Sequence, residues 1–270
     1  MKHLALPRLL IPALLIIPAG ASGHDTWFIP DRFVVAAAEA VVFDLTSGME
    51  FPKNDSAIKQ ERLEVARCRL AGSTTEISGI EAGPQSLRLK QQVEKAGLAT
   101  CWVQLLPRAL ELKPAEVEEY LEEVGAPESI RKAWAEMKPQ RWRESYRKGA
   151  KTVLRVGEAE NDVSWKEPVG MPLEIVPERD PTRVKVHATE LFTVTVLKDG
   201  APLADFSLNA IRAGDKEGET RKTNAGGAVS FRLAQPGRWL IRGTELRRSQ
   251  KPDVDWESDF STLTLEVSPK

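Results

Sequence analysis

Alternation with a period of two constrains this chain more than any other feature. Phe192, Val194 and Val196 alternate with threonines, and Leu263, Leu265 and Val267 alternate with Thr264 and Glu266. Each segment therefore has an apolar and a polar side, the signature of a strand with one face on a core and one face wet. Residues 191–197, 206–213, 228–233, 238–243 and 261–267 read as strands of one unit, separated by the tight-turn chemistry of Asp199-Gly200 and Asn224-Ala225-Gly226-Gly227. The expected product over residues 171–270 is an immunoglobulin-like or transthyretin-like β-sandwich of about seven strands.

The first half repeats the theme with less clean alternation. Residues 40–45 are apolar enough for a strand between two packed layers, and 62–70, 74–78, 86–90, 99–105 and 151–157 follow at sandwich spacing, with turns at Ala71-Gly72-Ser73 and Ala82-Gly83-Pro84. Cys68 and Cys101 lie in two of these stretches. A bridge between them would stabilise the fold by roughly 3 to 4 kcal/mol on the chain-entropy model; two buried free thiols are the alternative. A break in character comes at Pro114, which is suited to the first position of a helix, and Gly125 is suited to end it. Val117, Tyr120, Leu121 and Val124 share one helical face; Ile130, Trp134 and Met137 share another after Pro127, and Trp142 with Tyr146 predicts a third helix after Pro139. The organisation read from this is mainly β: an N-terminal sandwich over 24–170 with a helical insertion at about 114–149, followed in tandem by the second sandwich.

Residues 1–23 read as an export signal. Lys2 and Arg8 precede an apolar run from Leu9 to Ile17, and small residues follow up to Gly23. The run is too short and too interrupted by Pro12 and Pro18 to span a bilayer. Cleavage after Gly23 would leave about 247 residues and a periplasmic or secreted protein. Lys plus Arg total 38 against 39 Asp plus Glu, so no net field draws the chain to nucleic acid.

That cleavage would make His24 the first residue. An N-terminal histidine offers an α-amine of pKa about 7.7 to 8.0 and an imidazole of about 6.5, and the two can close a chelate ring on one metal ion. Copper(II) and nickel(II) accept such flat nitrogen-rich sets. Cleavage after Ala21 would instead expose Ser22-Gly23-His24, which wraps the same metals through amine, amides and imidazole. His24, with Asp25 beside it, is the candidate metal site; the alternative is that His24 merely starts the first strand. The loop 46–55 can lend Met49, Glu50 or Asp55, or stay solvated. His187 reads as a surface histidine ahead of a strand, and the acidic residues Asp253, Asp255, Glu257 and Asp259 as a solvated loop before the last strand.

The opening His24-Asp25-Thr26-Trp27-Phe28-Ile29-Pro30 resembles the start of a bacterial exported family catalogued as domain of unknown function 4198 and labelled NikM-like, or nickel-uptake related. Arg143 to Lys151, Gly170 to Pro177, Asp180-Pro181, Val196 to Leu203 and Pro236-Gly237-Arg238-Trp239 are similar to that family as well. The second unit alone also resembles carboxypeptidase-regulatory, transthyretin-like modules. The family resemblance implies tandem immunoglobulin-like domains in the periplasm, nickel or cobalt handling, and one ligand, His24. Three function classes stand: a non-enzymatic metal-binding protein serving an inner-membrane metal transporter or another envelope protein, a metal-free scaffold, and a copper-dependent oxidase. The oxidase is disfavoured because Tyr120 and Tyr146 fall in the expected helical insertion and His187 in the other domain. No nucleophile elbow, phosphate loop, dinucleotide fingerprint or zinc helix is present.

Overall fold

A computed structural model describes residues 24–187 and 190–270. The expected export signal and both of its cleavage sites lie outside the described residues. The first half runs β1 (Asp25–Pro30), β2 (Val34–Val35), β3 (Glu39–Gly48), β4 (Ser56–Ala57), β5 (Leu63–Leu70), β6 (Ser73–Glu76), β7 (Gly79–Ala82), β8 (Leu87–Val93), β9 (Gly97–Leu105) and β10 (Arg108–Leu112). Two helices, α1 (Pro114–Glu123) and α2 (Glu128–Glu136), lead into the long β11 (Trp142–Val156). The second half holds β12 (Leu173–Pro177), β13 (Phe192–Lys198), β14 (Ala201–Pro202), β15 (Ser207–Arg212), β16 (Glu219–Lys222), β17 (Ala228–Phe231), β18 (Gly237–Arg248) and β19 (Trp256–Val267).

The fold is mainly β and built of sandwich layers. One sheet, ordered β1-β3-β8-β7 with β4 on β3, covers one half of a ten-stranded sheet ordered β16-β15-β18-β19-β11-β9-β5-β6. Phe28, Phe43, Leu45, Leu89, Val103 and Leu154 fill the core between them. A third sheet, β12-β13-β14 with β17 on β13, covers the other half, and Ile175, Phe192, Val194, Phe231, Ile241 and Leu263 fill that core. The two halves of the large sheet meet where β11 pairs in parallel with β19, from Glu144 opposite Trp256 to Thr152 opposite Thr264. The two sandwiches thus share one continuous sheet. Cys68 and Cys101 face each other across β5 and β9 and form a disulfide.

Strand β1 sits at the end of the small sheet and is buried on both sides. Phe28 enters the first core, while Trp27 and Ile29 pack with Phe51, Ile211 and Leu240 against the second half of the chain. The hydroxyls of Thr262 and Thr264 on β19 donate to the carbonyls of Thr26 and Phe28, each at 2.7 Å. An edge strand that would otherwise present bare carbonyls is satisfied in this way by the neighbouring sandwich.

Two expectations are corrected. The segment after Pro139 is strand and not a third helix. Trp142 and Tyr146 stand four residues apart, and four satisfies a period of 2 as well as one of 3.6; the parallel partner β19 decides for strand. The helical insertion therefore ends at Glu136 and not near 149. Residues 253–259 are not simply a solvated loop, because β19 starts at Trp256 and Asp259 is buried, although Asp253 is exposed. Asp259 receives Arg147 at 2.9 Å and Arg247 at 2.9 Å, and Asp255 receives Arg143 at 2.9 Å and Arg141 at 3.1 Å.

The hydrogen bonds from Arg143, and then those from Arg141, hold the Asp255 carboxyl down at about 2. A carboxyl whose folded pKa lies below its unfolded value of about 3.9 adds stability above that value and loses it as pH falls through the folded value. Asp255→Asn should therefore flatten the acid limb of a stability profile between about pH 4 and pH 2. Urea midpoints at stepped pH test this, and identical acid limbs in variant and wild type would count against it.

Candidate functional site

His24 opens on a cleft of about 720 Å³ between the end of the small sheet and the large one. A space of that size suits a small ligand. Its walls come from Ser56 to Arg62, from Leu105 and Arg108 to Glu111, from Tyr120 on α1, and from Tyr146, Lys148 and Phe260 on the paired strands β11 and β19. Helices α1 and α2 fold back on the extended ends of β11, β18 and β19, burying Val117, Tyr120, Leu121, Ile130 and Trp134 against Trp142, Leu246, Trp256 and Phe260. Gly125 ends the first helical run with φ +62, a conformation that costs glycine little.

The main chain at His24 and the side chain of Asp25 are held by two cations. The Lys148 ammonium donates to the His24 carbonyl, and Arg242 on β18 donates to the Asp25 carboxylate. Lys148 is 9% exposed, and its Nζ lies 5.1 Å from the Phe260 ring centre and 5.6 Å from that of Tyr146. Burial is the main reason its pKa falls to about 8, with the Asp25 charge opposing the fall. Burial likewise raises the Asp25 carboxyl above the ordinary carboxylate value, and Arg242 works against that rise. Asp25 itself lines a second cleft with Met49, Asn209, Lys216 and Arg242.

Behind the first cleft lies a buried polar cluster around Glu144, which is 1% exposed. Tyr120 Oη donates to Glu144 Oε1 at 2.8 Å, Trp142 Nε1 donates to Oε2 at 2.8 Å, and Ser258 Oγ also donates to Oε1. Burial raises the Glu144 carboxyl while these donors restrain it, and burial together with Glu144 raises the Tyr120 phenol well above 10. Tyr120 is therefore a neutral donor, fixed at the cleft wall.

Residues 21–244 match the family described as domain of unknown function, DUF4198. The chain belongs to that family. No curated protein matches it. Among solved structures, the chain is similar to the D0–D1 domain of intimin at 14% identity, covering 90% of this chain and 97% of that one with a TM-score of 0.23. It is also similar to the human OSCAR ligand-binding domain at 12% identity, covering 89% and 98% with a TM-score of 0.21. Scores of this size carry no argument about function.

Within this member of the family the residues singled out from sequence are distributed unevenly. His24 and Asp25 line different clefts, and the Asp25 carboxylate is engaged by Arg242. Gly48 pairs with Asp25 across β1 and β3, so the 46–55 loop does approach the amino end, but Met49 is exposed and Glu50 is bonded to Lys53. His187 is not among the residues lining the His24 cleft. Tyr120 and Tyr146 both reach that cleft, which removes the topological objection made from their position in the sequence. Among the described residues no three His, Cys, Asp or Glu side chains gather as a ligand set, and no helix is long and apolar enough to cross a membrane. Sequence reasoning missed Lys148, Arg62 and Arg242. The signal for Lys148 was available in one face of β11, where Trp142, Glu144, Tyr146 and Lys148 recur at every second position.

Proposed function

We propose that this protein is exported to the bacterial cell envelope, where it binds a late transition metal ion, copper(II), nickel(II) or cobalt(II), at His24 and passes it to a membrane transporter. The observation that carries the reading is the clamp around His24. A chain cut immediately before this residue has its new terminus fixed by Lys148 on one side and by the Asp25–Arg242 pair on the other, at the wall of the cleft. Fixing the main chain there means that closing a ring through the amine and imidazole costs little further ordering. The resemblance to a nickel-uptake-related group read from the sequence agrees with this choice of metals. Asp25 serves in this scheme as the anchor of the terminus.

The test is intact mass and N-terminal sequencing of the exported protein, followed by copper(II) and nickel(II) titration of wild type and His24→Ala. Stoichiometric binding that weakens at least about tenfold in the variant, a loss of about 1.4 kcal/mol or more, is expected. Equally weak binding by both proteins would leave a metal-free scaffold. A second reading, copper-dependent oxidation, is favoured by Tyr120 and Tyr146 standing in the His24 cleft. Peroxide formation by the copper-loaded protein with a reductant, absent in His24→Ala, distinguishes it from simple carriage.

A further inference from the structure

The charged groups of the His24 cleft are sorted by depth. Lys59, Glu61, Arg108 and Glu111 are exposed, whereas Arg62 is half-buried and Lys148 is buried, so the deeper charges are both positive. Arg62 spends one guanidinium nitrogen on the Leu106 carbonyl at 2.9 Å, and its Nε is buried without a partner among the described residues. Lys148 has three donors and reaches one neutral acceptor, the His24 carbonyl. A buried and a half-buried cation that retain donor capacity in the wall of one cleft make a site for an anion. Beside the polar Ser47 and Ser56, the wall carries an apolar and aromatic surface from Ile58, Leu105, Leu110, Tyr146 and Phe260. Inorganic phosphate would leave that surface uncovered.

We propose that the cleft beside His24 binds a small organic carboxylate with an apolar or aromatic body, its carboxylate on Lys148 and Arg62 and its body against Tyr146, Phe260 and Leu105. This site stands whether or not His24 binds a metal. If both hold, the carboxylate shares the cleft with the His24 site.

The test uses the mature, metal-free protein with benzoate as probe, benzamide as its neutral counterpart and inorganic phosphate as the bare anion, followed by calorimetry or amide shifts. Benzoate should bind at least about tenfold more tightly than either of the others. Lys148→Met and Arg62→Gln should each weaken benzoate about tenfold, while Lys148→Arg retains binding. Because the protein is metal-free in this measurement, benzoate binding separates this site from the metal reading. Should Lys148→Met fail to fold, Lys148→Arg and Arg62→Gln still decide. Equal binding of benzoate and benzamide, binding of phosphate as tight as that of benzoate, or benzoate affinity unaltered in Arg62→Gln would overturn the proposal.

Discussion

Lys151→Met should lower the unfolding free energy by about 3–5 kcal/mol, because it removes one member of a buried ion pair and strands the other. Lys151 on β11 and Glu174 on β12 are each 1% exposed and meet at 2.7 Å. Burial lowers the Lys151 pKa, and the Glu174 charge opposes that fall. The Glu174 carboxylate also accepts from the backbone N–H groups of Val169 at 2.8 Å, Gly170 at 2.9 Å and Met171 at 3.2 Å. It therefore ties the segment between the sandwiches to the strand that joins their shared sheet.

The two partners are not equivalent. Replacing both with apolar residues of similar volume is often neutral for a simple buried pair. Here Lys151→Met combined with Glu174→Leu should remain destabilised, because three backbone donors lose their acceptor, each at about 1–3 kcal/mol if left unsatisfied. Urea unfolding of the single and double variants measures this directly. A double variant as stable as wild type would mean that the 169–171 backbone finds other acceptors and that the carboxylate does not organise the junction.

What could be read from sequence follows from which contacts are local. Strand β13 was legible because its outer face is partly wet, so that Phe192, Val194 and Val196 alternate visibly with threonines; β19 shows the same alternation, but the face read as wet is covered by β1, where Thr262 and Thr264 are buried. Strand β1 shows no such alternation, since both sandwiches press on it and Trp27, Phe28 and Ile29 are all buried; a first strand starting at His24 stood only as the alternative to a metal site. The helices were legible through Pro114, Gly125 and the spacing of Val117, Tyr120 and Leu121; the strand after them was hidden by the four-residue interval from Trp142 to Tyr146. In the cleft, His24 was singled out by its own chemistry, and nothing but its place in the wall is visible in the fold. Lys148 and Arg242 act on the first two described residues from 124 and 217 positions away. No spacing rule reaches that far, and a lysine in a strand reads as a solvent-facing residue until its neighbours are known. The pairing of Asp255 and Asp259 with arginines of β11 was hidden for the same reason.

Trp142→Ala should be comparably damaging, at about 3–5 kcal/mol, through the cavity it leaves and the hydrogen bond it deletes. Trp142 is 1% exposed; its ring stacks on Trp256 at 4.6 Å and meets Tyr120 and Trp134 edge-on, each at 5.6 Å. It is the common contact between both helices and the shared sheet. Truncation would loosen α1, and with it Tyr120, at the wall of the His24 cleft. Trp142→Phe keeps an aromatic ring but loses the Nε1 donor to Glu144, which retains Tyr120 and Ser258. Its cost should be smaller, about 1–3 kcal/mol. Unfolding of the two variants, with hydrogen exchange of the helical amides under native conditions, separates packing from hydrogen bonding. The expected pattern is a large loss with faster exchange in α1 and α2 for alanine and a modest loss with little change in exchange for phenylalanine. If alanine costs less than about 1 kcal/mol, the helices are held by their other contacts and the aromatic stack does not position Tyr120.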